Sequence, residues 1–205
     1  MRQFLVVAVV ALALAGCAQP VPEAAPTSSP TVKPTPAPSP TPTVTLPPLA
    51  IPDCETLVPI DVVHAAFSEY AEFRRETPAG EFQNFLALPS QTTVLTGASP
   101  SRACTWAVPN SDGAVQVVAA GISAAQRDAL AIELAAAGFV EVVNAGAAVF
   151  SLGDPNENGM TSAGTTHILS GDAWIIAEAT RTEVSDALAS AALDALRTAN
   201  PALGL

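Results

Sequence analysis

Residues 18–50, which include the run SPTVKPTPAPSPTPTVTLPP, hold eleven of the nineteen prolines in the chain. Proline lacks a backbone donor and biases the residue before it toward extended geometry, so neither helix nor sheet can form across such a stretch. The composition predicts a disordered tether, polyproline-II-like, with a rise of about 3.1 Å per residue and a full reach on the order of 100 Å. Its Ser/Thr-Pro steps would also accept glycosylation, and the PxxP spacings from Pro34 to Pro42 could meet an SH3-like partner; the spacer reading needs neither. What can fold lies after it, in residues 51–205.

Before the tether stands Met1-Arg2-Gln3, then the apolar run 4–16 (FLVVAVVALALAG) and Cys17. Thirteen helical residues rise about 20 Å, short of the roughly 30 Å hydrocarbon core, so residues 1–16 read as a signal peptide rather than a span. Leu14-Ala15-Gly16-Cys17 resembles the lipobox of bacterial lipoproteins. The resemblance implies that Cys17 becomes the mature N-terminus and carries diacylglycerol and palmitate-type acyl chains. Two or three chains anchor stably where one is marginal. The expected address is the cell membrane, lipid-anchored and facing outside the cytoplasm.

Residues 51–205 carry six Lys/Arg against eighteen Asp/Glu. That balance argues against nucleic acid, whose phosphates demand a basic patch, and against direct docking on anionic lipid. With Cys17 acylated, Cys54 and Cys104 remain, an even pair in an oxidising compartment. A disulfide is the expectation, with two free thiols or a metal pair as the alternatives.

Helical spacing of Ile60, Val63, Phe67 and Tyr70 predicts a first helix from Pro59 to about Phe73, and Phe82, Phe85 and Leu86 a short second one over 81–88. Residues 90–101 read as loop with a brief strand at 92–95. A hairpin follows, 102–108 with 114–120. Ser123 and Gln126 form a capping box, and Gly138 sits where a left-handed C-cap falls. Strands at 139–143 and 147–152, a polar loop 153–164, a hairpin 165–170 with 173–180, and a helix capped by Thr182 complete the chain. Tight hairpins between amphipathic helices predict an α+β fold: a mostly antiparallel sheet with helices packed on one face, a two-layer sandwich.

Cys54-Glu55-Thr56-Leu57 before a helix and Cys104-Thr105-Trp106 on a strand resemble the CxxL and CxW pattern of small exported actinobacterial lipoproteins. That resemblance implies the Cys54–Cys104 disulfide and the sandwich, and no reaction.

Asp154, Asn156, Asn158 and Gly159 match the first half of a calcium loop, but the twelfth position is Thr165 where a bidentate Glu belongs. A plain polar turn explains the same residues. His64 and His167 could each serve as a base, yet no nucleophile elbow, Ser-x-x-Lys, HExxH or phosphate loop accompanies them. No catalytic residue, cofactor or metal is expected. Phe82, Phe85 and Leu86 form a candidate ligand or partner patch, with closure of the core as the competing reading. The sequence therefore predicts a monomeric, non-catalytic binding or interaction module at the cell surface, taking an envelope protein or an apolar or cell-wall ligand. The alternatives are a structural or accessory component of an envelope complex and, third, a cell-envelope hydrolase.

Overall fold

Seven strands in the order β1-β2-β3-β7-β6-β5-β4 form one sheet, and every neighbouring pair in it is antiparallel. The computed structural model describes residues 46–82, 88–153 and 163–205. The leader 1–16, Cys17, most of the tether, Phe85, Leu86, Asp154, Asn156 and Asn158 lie outside the described residues. The chain passes through α1 (Cys54–Leu57), α2 (Ile60–Ala66), β1 (Glu72–Thr77), a 3-10 turn (Ala79–Glu81), α3 (Gln91–Gly97), β2 (Ser101–Ala107) and β3 (Ala114–Gly121). It continues with α4 (Ala124–Ala136), β4 (Val140–Asn144), β5 (Ala147–Gly153), β6 (Gly164–Ser170), β7 (Ala173–Ala179) and α5 (Thr182–Ala199). All of these lie in one compact unit, Val44–Leu205.

The topology follows from the turns. Hairpins join β2 to β3, β4 to β5 and β6 to β7, while β1 reaches β2 through the 3-10 turn and α3; the runs β1–β3 and β4–β7 meet where β3 pairs with β7. Asn110, Ala145, Gly146 and Gly171 take positive φ at the tips, the left-handed conformation that tight hairpins require. The α+β fold is the one the sequence predicts. Val184, Leu188, Ala192 and Leu196 of α5 recur at helical spacing and bury themselves on Val117, Ala119, Ile168, Ile175 and Ala177, with α1 and α2 alongside. Strand alternation sends the next residues to the opposite face. There Val118, Phe150, Leu169, Trp174 and Ile176 meet Val94 and Leu95 of α3 and Leu130 and Leu134 of α4. That second face is closed as well, so β6 and β7 are buried along their whole length, the pattern of strands covered on both sides. The two hairpin–helix halves thus place α4 and α5 on opposite faces of the sheet.

Three local expectations are corrected. The first helix stops at Ala66 instead of continuing to Phe73, because the Phe67 and Ser68 amides both turn back onto the Val63 carbonyl. Residues 72–77, which carry no clean alternation, are drawn into β1 by pairing with β2, and Tyr70 is left exposed. Residues 92–95 are helical, inside α3, where i and i+1 apolar residues Val94 and Leu95 both reach the core. The α5 N-cap is Arg181, without a side-chain bond, rather than Thr182. The α4 capping box and the positive φ of Gly138 are as expected.

Candidate functional site

The two ends of the sheet are built differently. At one end β1 reads EFRRET, exposes Glu72, Arg74, Arg75 and Glu76, and is broken by a register shift between Phe73 and Arg75. Charges and a bulge are the devices that keep an edge from pairing with another chain. Phe73 there folds over Trp106, ring centroids 5.9 Å apart. At the other end β4 reads VEVVN, pairs with β5 in unbroken register, and is exposed along its length. Val140, Val142 and Val143 are 67%, 59% and 71% exposed. Among the described residues no strand pairs with its outer edge. Register fixes the faces: Val140 and Val142 stand opposite Ser151 and Val149 on the α5 side, Glu141 and Val143 opposite Phe150 and Ala148 on the α4 side. The strand is apolar on both faces, carries one charge, and ends the sheet.

A second feature lies where the domain begins. Pro52, Thr56, Pro59 and Val62 face Ala191, Asp194, Ala195, Thr198 and Ala199 of α5 across a groove of about 460 Å³. Small α5 side chains leave this space open. Beside it Asn200 clamps the incoming chain: its Nδ2 donates to the Ala50 carbonyl at 2.7 Å, and its Oδ1 accepts from the Ala50 amide at 2.7 Å.

Several polar groups of the interior are engaged structurally. On the α5 face the Thr166 hydroxyl donates to Asp186 at 2.6 Å and lies 2.8 Å from the Ser185 hydroxyl, while Ser151 donates to the same carboxylate at 2.7 Å. Hydroxyls around a carboxylate would need a base to become nucleophilic. The next residue, His167, points by strand alternation to the opposite face. There its Nδ1 accepts from the Trp174 indole at 3.1 Å, the rings stack, and Phe139 closes edge-on at 5.0 Å. Burial without a partner carboxylate pushes its pKa from 6.5 down to about 3, so the imidazole is neutral. His64 is half-buried with Nε2 3.0 Å from the Ala71 carbonyl.

Of the residues singled out from sequence, Cys54 and Cys104 are joined by a disulfide with Cα atoms 5.6 Å apart. Phe82 does not belong to a surface patch: it is buried among Ala79, Val94 and Leu95, closing the α3 side of the core. Among the described residues no group of three His, Cys, Asp or Glu could hold a metal ion, and no helix is long and apolar enough to cross a membrane. The open edge of β4 was missed, because VEVV alone reads like a strand covered on both faces. No family model matches the chain, and neither does any curated protein or solved structure.

Proposed function

We propose that the chain is a lipid-anchored, extracytoplasmic interaction module that displays its folded unit on a proline-rich stalk and engages a protein partner without catalysis. The observation that carries this reading is the β4 edge: three exposed valines on a strand whose outer edge is unpaired among the described residues, in an otherwise strongly acidic unit. A continuous exposed apolar strand marks an interaction site. Two further observations support it: His167 is buried on the far side of the sheet from the Ser/Thr/Asp cluster, and His64 is engaged by backbone.

The test is a photo-crosslinking residue placed at position 142 of the full chain on intact cells, with position 112 as control. A discrete protein adduct from 142 and none from 112 is expected. No adduct from either position removes the reading. Cys17→Ser should in parallel move the protein out of the membrane fraction, and retention there would refute lipid anchoring. The groove between α1–α2 and α5 favours a second reading, capture of a small apolar ligand. Native mass spectrometry of the never-denatured protein would reveal it as a reproducible non-protein adduct.

A further inference from the structure

We infer that β4 accepts an added antiparallel strand from a partner segment with the pattern apolar-apolar-basic-apolar, its Lys or Arg standing opposite Glu141. This rests on the interaction-module reading and specifies its occupant. Strand addition supplies affinity through backbone hydrogen bonds and specificity through alternate side chains. Both requirements are met by β4: its outer edge is unpaired among the described residues, and its register with β5 is regular over all five residues. The sheet is antiparallel throughout, and an antiparallel addition continues its ladder.

The side chains set the pattern. Read against Asn144 back to Val140, the incoming strand meets Val143, Val142, Glu141 and Val140 in turn. Apolar residues opposite the valines remove them from water on both faces of the sheet, and a cation opposite Glu141 makes a favourable cross-strand pair. Charge at longer range selects the same partner. Residues 51–205 hold eighteen acidic against six basic residues, which attracts a basic segment and repels a second copy of this chain. The opposite edge is closed to the same mode by its charges and register shift.

The probe is a capped octapeptide, STVVKVTS, with STVVEVTS as its acidic counterpart, titrated into the oxidised, unlipidated Cys17→Ser chain. Amide chemical shifts report the site and sedimentation reports the stoichiometry. The lysine peptide is expected to perturb residues 140–144 and adjacent β5, to bind at least about threefold tighter than the glutamate peptide, and to weaken with added salt. Glu141→Lys should reverse the preference. Val142→Lys, a change at an exposed position, should abolish binding while leaving the remaining spectrum intact. No binding, perturbation elsewhere, equal binding of both peptides, or self-association through β4 in their absence would each overturn the inference. A photo-adduct from position 142 together with peptide failure would leave the interaction module standing and remove only this partner chemistry. Loss of both would remove both.

Discussion

His167 ties protonation to stability. In the native state burial holds its pKa at about 3, while an unfolded histidine titrates near 6.5. Below 6.5 the unfolded chain binds a proton that the native chain refuses, so stability present at neutral pH is lost as pH falls toward 3. At pH 4.5 the loss from this residue is about 2–3 kcal/mol. Urea midpoints at pH 7 and 4.5 measure it, and His167→Leu should shrink the difference by that amount. The same variant leaves the Trp174 indole N–H without its acceptor and so costs about 1–3 kcal/mol at neutral pH. Gly164 is the other sensitive residue. A Cβ there would collide with the Thr182 amide nitrogen and the Arg181 carbonyl carbon, where β6 runs beneath the start of α5. Gly164→Ala should destabilise by about 1–3 kcal/mol, the usual cost of overpacking, read as a lower thermal midpoint. Neither effect is visible in the sequence. Their roles come from Phe139 and Trp174, which close around His167, and from the Arg181–Thr182 backbone, which lies over Gly164.

Among the elements, those whose local signals agree were legible. Around α4 a capping box, an apolar spacing and a terminal glycine all point to the same helix, and the Ser123 hydroxyl does accept the Gln126 amide. Ser123→Ala should cost about 1 kcal/mol, detectable as a shift in denaturation midpoint without a change in slope. The hairpins were legible for the same reason, since their glycines and asparagine fall between apolar runs. β1 was not: EFRRET has no periodicity, and only pairing with the strand carrying Cys104 and Trp106 makes it a strand. The position of β4 was hidden differently. Its composition belongs to a sheet interior, but α4 carries the chain from β3 across to the far edge, and strand order is not written in a five-residue segment.

For the whole molecule, the fold class could be read because alternation, helical spacing and turn residues each bound the architecture. The closing of both sheet faces could not, since it depends on which way two similar hairpin–helix halves lay their helices. The disulfide sits in this frame as a staple from α1 to the middle of β2, closing a separation of 50 residues. Reducing it should lower stability by about 4 kcal/mol in the chain-entropy account. Calorimetry with and without reductant measures that loss, and an unchanged midpoint would contradict it.

A cord pulled at one end loads a structure along whatever path is stiffest. Tension applied at residue 46 would first strip the Asn200 clamp from Ala50 and then reach Cys54, where the covalent bridge carries it straight into Cys104. Everything enclosed between those cysteines, including α1, α2, β1 and α3, is bypassed and bears no load. Stretched from residue 46 to residue 205, the oxidised chain should therefore extend about 170 Å less than the reduced one, at about 3.4 Å for each of the 50 residues spanned. The bridge acts as a strain relief, sparing one third of the folded unit from force applied at residue 46.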